Sequence, residues 1–211
     1  MTPRQAMLRG ALTLGVFSLV TAGSVAITRA ITAERIATHQ LAYQHRQLQE
    51  VLPTTLADMP VEDVLEGAFE LPSPERLGHR ETQTGWWVQR GGERTVVIPV
   101  VTRQGYNGEI RLLVGIDQQH TITGVRVTQH QETPGLGDGI ERQRSDWITD
   151  FNGLSLASLP SSGWAVSKDG GQFDAFTGAT ITPRAVIQAV YKALEYAADS
   201  PLPLNVEEAA Q

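Results

Sequence analysis

An uncharged apolar stretch near the amino terminus constrains this chain more than any other feature. Residues 10–28 carry no charge, and Arg9 and Arg29 bound them. As a helix, at about 1.5 Å per residue, the stretch would be roughly 28 Å long, close to the hydrocarbon thickness of a bilayer. We therefore predict one transmembrane helix over residues 10–28. The alternative is a cleaved signal peptide, because small residues ending at Ala26 resemble a cleavage site.

The charges that flank this stretch leave its orientation nearly undetermined. Arg4 and Arg9 precede it, and Arg29 and Arg35 follow it closely, so the positive-inside count is almost equal on the two sides. A short amino-terminal tail before an uncleaved anchor is the usual signal-anchor arrangement. It predicts that most of the chain lies outside the cytoplasm.

Length and composition limit what the rest of the chain can be. With 211 residues, 41% of them hydrophobic, the chain can form one ordinary core with attached elements. A net charge of −6 without any basic block argues against a nucleic-acid partner. The sequence contains no cysteine, which excludes disulfides, thiolate metal sites and cysteine nucleophiles.

The soluble part predicts an α+β fold. Apolar residues at helical spacing continue the first helix as far as Pro53, and residues 53–85 resemble a wrapping or linker segment. Three runs with strand character follow within residues 96–127, with a possible bulge at Gly124, and predict an antiparallel meander. We also expect a short helical segment over residues 145–151 and a strand over residues 164–167.

A final amphipathic helix is the clearest element of the soluble part. Thr182 followed by Pro183 predicts an N-cap and a proline at the first helical position. The predicted organisation is therefore a tail, a transmembrane helix, a juxtamembrane helix with a wrapping segment, a sheet-and-helix domain and a second tail. Their bounds are 1–9, 10–28, 29–98, 99–197 and 198–211.

Three threonines, Thr177, Thr180 and Thr182, crowd the start of this last helix around Gly178 and Ala179. Unpaired N–H groups at a helix start favour an anion, and the two small residues would let a ligand approach the backbone. A plain capped turn explains the same residues equally simply. Thr182 is the weakest candidate for a reactive hydroxyl, because an N-cap oxygen is occupied by a backbone N–H.

Three motifs resemble the extracytoplasmic flavin-binding family that includes RnfG and NqrC. DAFTGATIT, residues 174–182, resembles the flavinylation motif of that family. HQETPGLGD, residues 130–138, resembles its second motif, and GYNGEIRLLVGID, which begins at Gly105, resembles the opening of its flavin-binding fold. The motifs occur in family order, and TGATIT with the short chain length favours RnfG over NqrC. The resemblance thus makes residues 99–197 an FMN-binding domain.

The resemblance implies that FMN is joined through its phosphate to the oxygen of Thr180. It also implies that Asp174 helps a separate flavin transferase to recognise the site, although Asp174 could equally be a turn acceptor. Arg184 and Lys168 could stabilise the phosphate or could be solvated surface charges. The expected cofactor-binding set is Thr180, Asp174, Thr177, Gly178, Ala179, Glu132, Thr133, Gly135, Leu136 and Gly137.

The implied function is electron transfer within a membrane complex, between ferredoxin and NAD, coupled to ion translocation. The partners would be other membrane subunits, and the location the bacterial inner membrane with the soluble domain in the periplasm. Alternatives are an NqrC-type subunit of a sodium-translocating quinone reductase, an independent flavin reductase and an anchored small-anion binding module. The chain lacks the Gly-x-Gly-x-x-Gly turn that a nicotinamide site would favour. His130 and Glu132 have no further ligand at regular spacing, so no metal is expected.

Overall fold

The computed structural model describes residues 3–53, 55–56 and 58–204, and most of the predicted tail over residues 198–211 lies outside these ranges. The chain divides into two units, Met1–Gln44 and His45–Gln211, which are described separately. The helices are α1 (Pro3–Val51), α2 (Val61–Glu66) and α3 (Ile181–Asp199). The strands are β1 (Ala68–Glu70), β2 (Thr84–Arg90), β3 (Glu93–Gly105), β4 (Gly108–Asp117) and β5 (Ile122–Gln129).

The first unit is the greater part of α1. Residues Gly10–Ala33 form a helix long and apolar enough to cross a membrane, with none of it buried inside the structure. Its hydroxyl groups donate to carbonyls one turn earlier, as in Thr21 to Phe17 at 2.8 Å and Thr28 to Ser24 at 2.8 Å. Hydroxyls that bond within their own helix add little polarity to a segment in lipid.

The second unit is built on a five-stranded antiparallel sheet in the order β1-β2-β3-β4-β5. The α+β fold class is confirmed, and so is the meander, which is formed by β3, β4 and β5. The expected linker is partly wrong, because residues within 53–85 form α2, β1 and the start of β2. β2 pairs antiparallel with β3 across the two-residue turn Gly91-Gly92, and β1 pairs antiparallel with β2 at the edge of the sheet.

Both faces of the sheet are covered. Ile98, Val100, Leu112 and Val114 are buried on the face that packs against α3, in the larger core. The next residues along the strands, Val97 and Leu113 among them, point to the opposite face, because successive strand side chains alternate. That second face is covered by Leu48, Val51 and Leu52 at the end of α1, with Leu56, Met59 and Val64.

The end of α1 approaches the sheet at two glycines. Cβ atoms on Gly115 and Gly124 would lie 2.5 Å and 3.0 Å from the Val51 carbonyl oxygen, which leaves no room for larger residues. The Thr123 hydroxyl donates to the same oxygen at 2.7 Å. The register of β4 and β5 shifts beside this contact, as the predicted bulge at Gly124 requires.

The segment between β5 and α3 is made of turns and short 3-10 helices rather than strands. These 3-10 helices are Asp138–Ile140, Trp147–Phe151, Ser161–Gly163 and Ser167–Asp169; a further one, Pro74–Leu77, precedes β2. The expected helical turn near residue 151 is confirmed as a 3-10 helix. The strand expected over residues 164–167 is wrong, because only an isolated bridge between Val166 and Phe173 forms there.

Candidate functional site

The turn before α3 brings the small residues of the threonine cluster to the surface. The Ala179 N–H donates to the Phe176 carbonyl at 3.1 Å and closes a tight turn. Gly178 occupies that turn with φ of +81°, a conformation that residues with a Cβ rarely adopt. The glycine is therefore required by the backbone, and the exposed turn points Thr177 toward solvent.

Helix α3 begins two residues earlier than the sequence predicts. Its first residue is Ile181 and its N-cap is Thr180, whereas we expected Thr182 to be the N-cap and Pro183 the first helical residue. Pro183 is tolerated as the third helical residue because N–H groups of the first turn have no partner within a helix. Since Pro183 has no N–H, the unpaired donors of this turn belong to Ile181 and Thr182.

The three candidate hydroxyls have different environments. Thr177 is exposed, Thr180 is half-buried and Thr182 is fully buried. The Thr182 hydroxyl donates to the Glu132 carboxylate, so it is occupied, although by a different partner from the one expected. Thr180 makes no side-chain capping bond. Its hydroxyl is therefore the one that combines partial shelter with freedom to react.

The carboxylate of Glu132 joins three parts of the site. It is 4% exposed and accepts the N–H of Asn107 at 2.9 Å and that of Tyr106 at 3.3 Å, in the turn between β3 and β4. The third donor is the Thr182 hydroxyl on α3. Gly137 packs against this arrangement, because a Cβ there would lie 3.0 Å from both Glu132 Oε2 and Thr182 Oγ1. Glu132 thus fixes the start of α3 relative to the sheet.

The loop after β5 is held by side chains outside the pocket. The Glu132 N–H donates to His130 Nδ1 at 3.0 Å, and His130 Nε2 lies 2.7 Å from Glu141 Oε1. An Nδ1 that accepts must be unprotonated, so the ring proton is on Nε2 and is donated to Glu141. Asp138 accepts the Gly135 N–H at 2.7 Å and shapes the glycine-rich part of the loop.

A pocket of about 370 Å³ lies between this loop and the start of α3. Seven of the ten predicted site residues line it, namely Glu132, Thr133, Leu136, Gly137, Gly178, Ala179 and Thr180. Asp174, Thr177 and Gly135 do not line it. The Glu132 carboxylate accepts three hydrogen bonds from the protein and so braces the pocket wall.

Sequence reasoning missed three residues that line the pocket, Tyr106, Ile181 and Thr182. The side chain of Tyr106 is 69% exposed, that of Leu136 46% and that of Ile181 45%. Within the described part of the second unit, Leu65 is the other large hydrophobic residue that is strongly exposed. Exposed apolar side chains therefore concentrate at this pocket. The GYNGEI motif contained the signal for Tyr106, but it was used only to recognise the fold.

Arg184, near the start of α3, is already paired with a carboxylate of the protein. Arg184 makes a two-point ion pair with Asp169, at 2.6 Å and 2.9 Å. The hydrogen bond from Arg184 lowers the pKa of Asp169, and this pair lies at the surface.

Burial, followed by the charges of Asp174 and Asp146, raises the pKa of Asp150. No cluster of three or more metal-ligating side chains occurs within the described ranges.

Two family models match the chain. One, described as FMN-binding domain, matches residues 105–195, and the other, described as RnfG N-terminal region, matches residues 1–51. The first match contains the whole pocket.

Relatives that match most of the chain are named as the G subunit of an ion-translocating oxidoreductase complex. The protein of Vibrio cholerae serotype O1 (strain M66-2) is 45% identical over 192 residues, which cover 90% of each chain. That of Pseudomonas aeruginosa (strain UCBPP-PA14) is 44% identical over 194 residues, which cover 92% of this chain and 89% of the relative.

Among solved structures, the C subunit of the Na⁺-translocating NADH-quinone reductase of Parabacteroides distasonis has a similar fold. The TM-score is 0.55 at 17% identity, and the match covers 79% of this chain and 98% of the other. At this level of identity the likeness concerns the fold alone.

Proposed function

The chain belongs to the RnfG family, the G subunits of ion-translocating oxidoreductase complexes, and from this premise we propose that it is the anchored electron carrier of such a complex. We further propose that its cofactor is FMN, joined by a phosphodiester to Thr180. The observation that carries this proposal is the free, half-sheltered Thr180 hydroxyl at the edge of the pocket.

The residues present fit FMN in three respects. The pocket volume of about 370 Å³ is within the range usual for small-molecule sites. The N–H groups of the first turn of α3 and the helix dipole favour a phosphate beside Thr180. Leu136, Ile181 and Tyr106 offer apolar surface to the ring system at the pocket mouth.

When bound, FMN supplies a centre that can accept and donate electrons singly. The chain's own residues hold and shield that centre. The Thr180 oxygen fixes the phosphate end, and Gly178 leaves that approach open, since a Cβ there would meet only Leu136, at 3.5 Å. The hydroxyl of Thr133, which lines the pocket, can donate a hydrogen bond near the ring. Glu132 keeps the loop and α3 in register around it.

Covalent attachment suits a domain outside the cytoplasm. A noncovalent cofactor stays bound only while its free concentration exceeds its dissociation constant, and free FMN is expected to be scarce there. We accordingly propose that α1 anchors the chain in the inner membrane with the pocket on the periplasmic side. A separate flavin transferase would form the bond, with the exposed Asp174 available for recognition.

The test is to purify the full chain from a host that contains a flavin transferase. The expected result is yellow protein that fluoresces in a denaturing gel, with an intact mass raised by one FMN minus water. The Thr180→Ala variant should be colourless and have the mass of the bare chain. Thr177→Ala is the matched control, because Thr177 is an exposed threonine in the same turn, and it should retain the cofactor.

Other results would favour the other functions. A bare wild-type mass would favour a small-anion binding module that uses the same helix start. Rapid bleaching of the bound flavin by NADH alone would favour an independent reductase. A mass increment that persists in Thr180→Ala would move the bond to another residue.

A further inference from the structure

An unbroken chain of aromatic rings crosses the second unit from the pocket turn to the outer side of α3. The ring of Trp147 lies 5.2 Å from that of Phe176 and 5.4 Å from that of Phe151, measured between centroids. Phe151 lies 6.5 Å from Trp164, and Trp164 lies 5.6 Å from Tyr191. Phe173 fills the gap, at 4.6 Å from Phe151 and 5.8 Å from Trp164.

The inner end of this chain is attached to the pocket. The Phe176 carbonyl accepts the Ala179 N–H at 3.1 Å, and Ala179 lines the pocket next to Thr180. Trp147 supports the same segment, because its indole N–H donates to the Asp174 carbonyl at 2.9 Å. The outer end, Tyr191, is half-buried on α3.

The groups that could accept a proton from each ring differ along the chain, and this difference sets the direction of electron transfer. Trp164 is 1% exposed, and its indole N–H has no hydrogen-bond partner within the described structure. The indole of Trp147 donates only to a carbonyl, which is a poor base. Tyr191 is different, because a carboxylate, Glu195, follows it one turn along α3; burial and then the Glu195 charge raise the pKa of the Tyr191 hydroxyl.

Packing alone does not account for Trp164. A buried N–H without a partner costs free energy that a phenylalanine, which has no N–H in its side chain, would not. Phenylalanine already occupies two neighbouring positions, Phe151 and Phe173. An indole is, however, far easier to oxidise than a phenyl ring. An oxidised indole that cannot lose its proton keeps its positive charge and readily takes an electron from the next ring.

We propose that Trp147, Trp164 and Tyr191 form a protective electron-transfer route, along which a one-electron oxidation that begins in the pocket is transferred to the surface. The proposal rests on the proposed function, because the oxidant is a flavin in the pocket excited by light. Trp147 gives one electron to this oxidant, Trp164 then reduces the oxidised Trp147, and Tyr191 reduces the oxidised Trp164. The Tyr191 hydroxyl loses its proton to Glu195, which leaves a neutral tyrosyl radical at the surface. A soluble one-electron reductant that also supplies a proton restores Tyr191.

The experiment uses full-length protein whose FMN content has first been measured by intact mass. Tyr106→Phe is the parent for all variants, because Tyr106 lines the pocket and could reduce the oxidant directly. Samples are illuminated with blue light, frozen and examined by electron paramagnetic resonance. The chain has four tyrosines, so substitution can assign a tyrosyl signal.

The parent should give a tyrosyl signal that is lost in the additional Tyr191→Phe and Trp164→Phe variants. Tyr196→Phe is the matched control, because Tyr196 is also on α3 but lies outside the aromatic chain, and it should keep the signal. Should Trp164→Phe fail to fold, the half-buried Tyr191 still tests the route. A signal that survives Tyr191→Phe, or no tyrosyl signal in flavin-loaded parent, overturns the proposal. A chain without FMN contradicts the proposed function instead, and the mass measurement reveals this before illumination.

Discussion

Replacement of Glu132 by glutamine tests whether this carboxylate holds the site together. The side chain keeps its shape, but one of its two oxygens becomes an NH₂ group. Three donors, the N–H groups of Tyr106 and Asn107 and the Thr182 hydroxyl, then share a single acceptor. With the remaining oxygen toward Asn107, the Tyr106 N–H faces another donor.

The magnitude follows from the bonds that change. An unpaired N–H costs about 1 to 3 kcal/mol, and conversion of a charge-assisted bond into a neutral one costs about 1 kcal/mol. We therefore expect Glu132→Gln to lower the free energy of unfolding by roughly 2 to 4 kcal/mol. In a chain of this size that corresponds to a fall in the melting temperature of roughly 4 to 16 °C. Attachment of FMN should also fall, because the start of α3 loses its brace.

Thermal unfolding in detergent, followed by circular dichroism, provides the assay. Glu109→Gln is the matched control, because Glu109 is a partly exposed carboxylate near the same turn, paired with Arg111 at 2.7 Å. An exposed pair of this kind contributes about 0 to 1 kcal/mol. Thr182→Val completes a double-mutant cycle with Glu132→Gln, and residues that share a hydrogen bond should not be additive. Equal losses for the two glutamine variants, or full additivity in the cycle, would refute the reasoning.

Three further predictions concern nearby residues. Gly137→Ala should lower stability by about 1 to 3 kcal/mol in a denaturant titration, because its Cβ would lie 2.9 Å from Glu132 Cβ; an unchanged midpoint would show that the loop yields freely. Arg184→Ala should leave the fraction of flavin-bearing protein, measured by mass, unchanged, since Asp169 already occupies the guanidinium; a large loss would place Arg184 on the phosphate. Burial lowers the pKa of His79 below its ordinary value of 6.5, so the unfolded chain binds the proton more readily than the folded chain. The free energy of unfolding should therefore decrease as the pH is lowered below about 6.5. His79→Gln should weaken this dependence in pH-resolved melting curves, and an unaltered slope would contradict it.

Elements with a strong local pattern could be predicted from the sequence. Alternation at Ile110, Leu112 and Val114 and the apolar stripe of α3 led to the correct sheet and helix, because their period reflects which face is buried. β1 and β2 were missed, since β1 is short and β2 has little alternation; β1 is stabilised by pairing with β2, and β2 by pairing with β3.

The site shows the same division. The glycine at position 178 and the small residue at 179 could be predicted, because a tight turn and a close approach need them. The start of α3 was placed two residues late, because the Thr-Pro pair suits an N-cap as well as the first turn. The role of Glu132 could not be predicted, since it depends on a contact with Thr182, 50 residues along the chain.

The most direct measurement is to locate the cofactor within a single peptide. Trypsin, which cleaves after Lys168 and Arg184, should release residues 169–184 with all three candidate threonines. Fragmentation of this peptide by mass spectrometry should place FMN phosphate on Thr180 and leave Thr177 and Thr182 unmodified. A bare peptide from yellow protein, or FMN on either neighbouring threonine, would contradict the account.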